Sequence, residues 1–137
     1  MDEKYQHIWT RYNFFPIFYS FPTKHWSLVI ADLRYSAILY YDSFGGKNMP
    51  LLSSILEFLK KEYFSKQNKE LDLRKFAKQT IEDGPKQNNS HDCGLFLLKY
   101  ADLYSCNKNP GMLCQEDMPY FRKLTLYEII TNQLMLS

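Results

Sequence analysis

Cys93 stands between a polar, turn-forming stretch, Gln87-Asn88-Asn89-Ser90-His91-Asp92, and an apolar run from Leu95 to Leu103. A thiol placed in this way opens a buried helix, where unpaired backbone N–H groups and the helix dipole favour the attacking thiolate. A cysteine taken without context is more often a buried structural residue. Two features upstream reverse that balance. His25-Trp26 opens one apolar stretch, and Tyr40-Tyr41-Asp42-Ser43 closes the next. A cysteine nucleophile needs a base for its proton, a group that orients the base, and donors for the oxyanion of the tetrahedral intermediate. Cys93 would attack, and His25 would form the imidazolium that later protonates the leaving amine. Asp42 would accept from the far imidazole nitrogen and fix its tautomer. Gln87, six residues before Cys93, would aim its side-chain amide at the oxyanion beside the Cys93 backbone N–H.

Each role has a rival. His91 and Asp92 adjoin Cys93, but successive side chains diverge, and a base must reach the nucleophile in a fixed geometry. They read as loop residues, with Asp92 placed to cap the helix. His7 lies in a polar terminal stretch, and Asp32 belongs at the end of its strand opposite His25. Cys106 and Cys114 lack a base and read as helix-end and loop cysteines. Trp26 is either a core residue or, as the neighbour of His25, the roof of a channel for a small-residue tail.

Positioning these groups falls to a few elements. Trp26–Ala31 and Ser36–Tyr41 are short apolar runs joined by Asp32-Leu33-Arg34-Tyr35, which predicts an antiparallel hairpin. His25 and Asp42, 17 residues apart, then share one end of neighbouring strands. Phe14–Ser20, carrying Pro16, reads as a strand at a sheet edge. Asn48 and Pro50 start a helix with Leu52, Ile55, Leu59 and Tyr63 at helical spacing and Glu57, Lys60, Lys61 and Glu62 facing water. Lys66–Asp72 is a polar connector, and Leu73–Ile81 is a strand candidate whose alternation is broken by Arg74, Lys75, Lys78 and Gln79. Gly84-Pro85 turns the chain into the Gln87 loop, and a helix follows from Cys93 to Tyr104. Asn109-Pro110-Gly111 closes it. A last helix after Asp117-Met118-Pro119 carries Leu124, Tyr127, Ile130 and Leu134 on one face.

The composition sets bounds. The 137 residues, 45% hydrophobic and 17% aromatic, suit one domain, 1–137, with a substantial core. Lys and Arg number 17 against 15 acidic residues, a net charge of +2, too small for a nucleic-acid footprint. No stretch approaches the roughly 20 apolar residues of a membrane span. The charged start, Met1-Asp2-Glu3-Lys4, is unlike a signal peptide, so a soluble intracellular protein is expected. Three cysteines without CxxC spacing indicate neither a disulfide framework nor a zinc site, and no metal or cofactor is implied.

The sequence resembles the ubiquitin-like-protein-processing cysteine proteases, particularly the sentrin-specific (SUMO) branch. The matching motifs are His25-Trp26-Ser27-Leu28, Tyr40-Tyr41-Asp42-Ser43-Phe44-Gly45-Gly46, Gln87 through Cys93-Gly94, Lys99-Tyr100-Ala101-Asp102 and Met118-Pro119-Tyr120-Phe121-Arg122-Lys123. The resemblance implies a papain-like α+β fold, a small central sheet with flanking helices. It makes His25, Asp42 and Cys93 the triad, Gln87 the oxyanion residue and Trp26 part of the clamp on a diglycine tail. The implied reaction is hydrolysis after the terminal Gly-Gly of SUMO, from its precursor or from a substrate lysine. The implied partners are SUMO and its conjugates, with NEDD8 and ubiquitin as alternatives, and the chain is expected to act as a monomer in the nucleus or cytoplasm without nucleic acid or membrane. Relatives carry a longer amino-terminal part, with a second clamp tryptophan, so the chain is expected to be an N-terminally shortened catalytic domain. That expectation opens a second reading, a protease-derived protein that binds the modifier without cutting it.

Overall fold

Four strands and three α-helices follow the hydrophobic pattern of the chain in the computed structural model, which describes residues 14–20, 22 and 24–135. The strands are β1 (Phe14–Ser20), β2 (Trp26–Asp32), β3 (Ala37–Tyr41) and β4 (Ala77–Thr80). They form one sheet in the order β1-β2-β3-β4. The helices are α1 (Met49–Gln67), α2 (Cys93–Ser105) and α3 (Met118–Thr131). The sheet is mixed and the fold is α+β. β2 and β3 are neighbours joined by a connector too short for a parallel crossover, so they run as a hairpin. β3 and β4 pair in parallel, with Ala37 opposite Ala77 and Tyr40 opposite Thr80, and α1 makes the long return that parallel pairing requires. β1 and β4 are the edges. Pro16 is accommodated on the first, as its missing N–H demands. Among the described residues no helix is long and apolar enough to cross a membrane.

The residues group into two compact units that interleave along the chain. One draws on Val29–Tyr40 and Lys47–Thr80, and the other on Phe18–Leu28, Tyr41–Gly46 and the chain from Ile81 onward. The first unit is built on apolar burial. Val29, Ile38, Tyr40, Leu52 and Leu56 form its core, with Ile17, Leu51, Ile55, Leu73 and Phe76 packed against them. Fully burying one such side chain contributes about 1.5–3 kcal/mol. α1 starts where the Asn48 side chain accepts from the Leu51 N–H at 3.2 Å, and it stops at Asn68 in the left-handed region, φ 51°, which asparagine tolerates. The strand expected over Leu73–Ile81 is shorter. Leu73–Lys75 is a 3-10 turn whose entry is held by the Asp72 side chain accepting from the Arg74 N–H, and only Ala77–Thr80 is extended. Its side chains are mostly exposed, so an edge strand without a buried face gave no alternation to read.

The second unit relies more on polar pairs. α2 buries Leu95, Phe96, Leu97, Tyr100 and Leu103, and Tyr100 stacks on Tyr41 at 4.2 Å. The face expected to bury α3 is not the one that packs. Tyr127, Ile130 and Leu134 are exposed, whereas Met118 and Glu128 are buried. Glu128 accepts from Lys99 Nζ of α2 at 2.8 Å, and Lys99 lies 5.8 Å from the Phe121 ring centroid. A buried ion pair thus decides how α3 faces α2, and an apolar periodicity cannot report that. The pair holds the Glu128 carboxyl below the usual carboxylate range: burial raises it, but the hydrogen bond and charge of Lys99 prevail.

Candidate active site

The start of β2 and the end of β3 deliver His25 and Asp42 together, as the hairpin requires. His25 Nε2 lies 2.8 Å from Asp42 Oδ1. The same oxygen accepts from the Phe44 N–H at 2.7 Å, and the Asp42 carbonyl accepts from the Gly45 N–H at 2.8 Å. The turn after β3 therefore holds the carboxylate through the Phe44 main-chain donor. A carboxylate oxygen so engaged is an acceptor, so Nε2 carries the ring proton and Nδ1 is the nitrogen suited to a nucleophile. Gly45 supplies the positive φ of the turn, 81°. At Gly46 a Cβ would sit 2.5 Å from Asp42 Oδ2, so a side chain there would displace the carboxylate. Phe44, exposed, lies with its ring centroid 4.8 Å from the imidazole.

The loop before α2 is clamped to this turn. The Gln87 N–H donates to the Ser43 carbonyl at 3.0 Å, and the Ser43 hydroxyl donates to Gln87 Oε1. Gln87 Nε2 donates to the Asn89 carbonyl at 2.7 Å. Tyr41 adds a third tie, its hydroxyl donating to the Pro85 carbonyl at 2.8 Å. Burial, with Tyr100 and Asp42 nearby, pushes the Tyr41 phenol up, which keeps it a donor. Asn89 in turn organises the loop. Its Oδ1 accepts from the Asp92 N–H at 3.0 Å and from the His91 N–H at 3.2 Å.

Cys93 is the first residue of α2 and is buried, at the dipole end its sequence position called for. Asp92 occupies the N-cap position but makes no side-chain cap, which corrects the expected role. Its carboxylate is claimed by other donors: Asn89 Nδ2 at 2.6 Å, Gln115 Nε2 at 2.9 Å, and Arg122 of α3. Burial raises the Asp92 carboxyl, but the donors Asn89, Arg122 and Gln115 outweigh it and hold the group low. Arg122 and Gln115 were not singled out from sequence as supports of this loop. Arg122 belongs to the Met118–Lys123 motif, and a cation 30 residues from Asp92 gives no local signal.

An apolar pocket of about 270 Å³ is lined by Phe18, Trp26, Gly94, Leu97 and Leu98. In sequence Trp26 follows His25 and Gly94 follows Cys93, so the pocket is lined by the neighbours of both residues. Trp26 is 43% exposed, which removes the core alternative for it. The rivals fall elsewhere. Asp32 is engaged by the Arg34 guanidinium, at 2.6 Å in the shorter contact. His91 is exposed, and His7 lies outside the described residues. Cys114 is exposed and donates to Asp117 Oδ2 at 2.9 Å; that hydrogen bond above all pushes its thiol up, away from a thiolate. Among the described residues no group of three or more His, Cys, Asp or Glu side chains is arranged to hold a metal ion.

The Ulp1 protease family, C-terminal catalytic domain, matches residues 7–134. Sentrin-specific protease 2 of Homo sapiens is 39% identical over 113 residues, 81% of this chain and 19% of that protein. The ubiquitin-like-specific protease ESD4 of Arabidopsis thaliana is 38% identical over 107 residues, 77% of this chain and 22% of that protein. The chain thus spans about a fifth of the length of these curated relatives. Among solved structures, the C-terminal Ulp1 protease domain in complex with Smt3, the yeast orthologue of SUMO, has a TM-score of 0.69 at 24% identity, covering 90% of this chain and 53% of that one. The Ulp1-like SUMO protease catalytic domain of Chaetomium thermophilum has a TM-score of 0.69 at 18% identity, covering 88% and 46%. At these identities the structural likeness is one of fold.

Proposed function

The chain belongs to the Ulp1 protease family, and from that premise we propose that it is a cysteine peptidase that cleaves after the terminal Gly-Gly of SUMO. Cys93 is the nucleophile, His25 the base and later the acid, Asp42 the orienting carboxylate, and Gln87 the oxyanion donor with the Cys93 N–H. The observation that carries the reading is the His25–Asp42 pair at 2.8 Å, which assigns Nδ1 to the thiol of Cys93, the buried first residue of α2.

In this mechanism the Cys93 sulfur attacks the carbonyl carbon of the last glycine, and the oxyanion that forms is met by N–H donors. Collapse of the intermediate breaks the C–N bond, the leaving amine takes its proton from His25, and water then hydrolyses the thioester. Losing one oxyanion donor costs about 2.7–4 kcal/mol of transition-state stabilisation. Selection for glycine follows from the apolar pocket beside Trp26: a wall of indole and leucine excludes side chains, and a folded modifier adds remote binding energy. The motifs Asp42–Gly46 and Met118–Lys123 favour SUMO over NEDD8 or ubiquitin, and the relatives' names favour it too. The reading carries with it a monomer acting in the nucleus or cytoplasm.

A SUMO joined through its diglycine to a fluorophore tests this. Release by the wild type and none by Cys93→Ala supports the peptidase. Binding of the modifier without release, equal in both proteins, supports the binding-only alternative instead.

A further inference from the structure

Ser43 follows the orienting carboxylate in the sequence motif Asp42-Ser43-Phe44 and bonds Gln87 of the oxyanion loop, and the mechanism gives it no part. We propose that Ser43, together with the Asn89 carbonyl, is a positioning residue for Gln87: the two hold its amide with Nε2, rather than Oε1, available to the oxyanion. The inference deepens the peptidase reading and rests on it.

A glutamine amide presents an oxygen and a nitrogen of nearly equal size, so its shape alone does not decide which end faces a reacting group. The wrong end would set a carbonyl dipole against a developing negative charge. The Asn89 carbonyl decides which end is which, and the Ser43 hydroxyl, able to donate or accept, then holds the amide in that orientation. The Asn89 carbonyl can only accept, and it takes one Nε2 hydrogen at 2.7 Å. Ser43 donates to Oε1 and meets the need that burial imposes on that oxygen, since Gln87 is 7% and Ser43 2% exposed. The second Nε2 hydrogen is then the one left to serve the intermediate. Ser43 is itself pinned, because its carbonyl accepts from the Gln87 N–H at 3.0 Å. Asn89 is pinned as well, by its side-chain bonds to the His91 and Asp92 N–H groups and to the Asp92 carboxylate. Donors that are fixed before the reaction contribute more than donors that must reorient during it.

The test is a double-mutant cycle on the fluorogenic SUMO substrate with Ser43→Ala, Gln87→Ala and the pair. Ser43→Ala is expected to lower kcat about tenfold with KM unchanged, Gln87→Ala by about 10²–10³-fold, and the pair no more than Gln87→Ala alone. If Ser43→Ala costs the same factor in both backgrounds, or nothing in the wild type, the proposal is overturned. If Ser43→Ala fails to fold, Ser43→Cys, which keeps the size and weakens the donor, takes its place. A second readout is independent of turnover. In ¹⁵N-labelled protein the Gln87 side-chain amide protons should shift and exchange faster in the Ser43 variant, and unchanged resonances overturn the proposal. A wild type that releases no fluorophore yet shows that spectral change would sink the peptidase reading and leave the positioning of Gln87 standing.

Discussion

His25 and Asp42 meet at 2.8 Å, and Lys99 and Glu128 meet at the same distance. Their surroundings differ. Lys99 and Glu128 are each 4% exposed, closed between α2 and α3 with the Phe121 ring alongside, so the pair fastens two helices. His25 is 16% exposed, beside Phe44 and one residue from a tryptophan that lines an open apolar pocket. Its partner occupies one ring nitrogen, and the other remains suited to chemistry. Distance alone therefore does not make a site; the role proposed for His25 rests on its second ring nitrogen, which an ammonium lacks. The same contrast holds within the polar network of the second unit, where Asp92 is saturated by three donors and supports the loop without any claim on substrate.

The largest effect that sharpens this contrast is Asp42→Asn. It keeps the shape of the pair but reverses which imidazole tautomer is favoured, so kcat should fall by up to about 10⁴-fold while the unfolding midpoint hardly moves. A comparable loss of stability would break the comparison, because it would make the pair a fastener too. Next comes Glu128→Ala, which leaves the buried Lys99 ammonium only the longer contact to Asp102 Oδ2 at 4.0 Å and should cost up to about 3–5 kcal/mol in urea unfolding. The folded fraction should retain its turnover. Lys99→Met combined with Glu128→Leu should recover most of the stability, and a failure to recover it would mean that the pair does more than join helices.

The smallest effect is set by pH. Asp92 and Glu128 are both held below the ordinary carboxylate value, so the unfolded chain binds their protons first. Their contribution is complete above about pH 5 and is lost as pH falls through the lowered folded values. Asp102, raised chiefly by burial, runs the other way and softens the loss. The urea midpoint should therefore drop on acidification, and less so in Glu128→Gln. An equal drop in both proteins would remove the pair from the acid response.

The hairpin and its consequence for His25 and Asp42 are legible because two short apolar runs and a four-residue turn between them pair the strands locally. The thiol at a helix start was legible for a similar reason: polar turn formers gave way to an apolar run at Cys93. The face of α3 was not. Its orientation depends on Glu128 finding Lys99 and Arg122 finding Asp92, partners 29 and 30 residues away, and hydrophobic spacing carries no record of such pairs. The capping role expected of Asp92 failed on the same ground, since competing donors from a distant segment took both carboxylate oxygens. Ser43 carries no local signal, because the partner of its hydroxyl, Gln87, lies 44 residues away.

Covalent capture by SUMO ending in a vinyl sulfone, with the modified residue mapped by mass spectrometry, tests the central claim most directly. The account predicts one adduct, on Cys93, formed by the wild type and much slowed in His25→Ala. An adduct on Cys106 or Cys114, or none at all from folded protein, would contradict it.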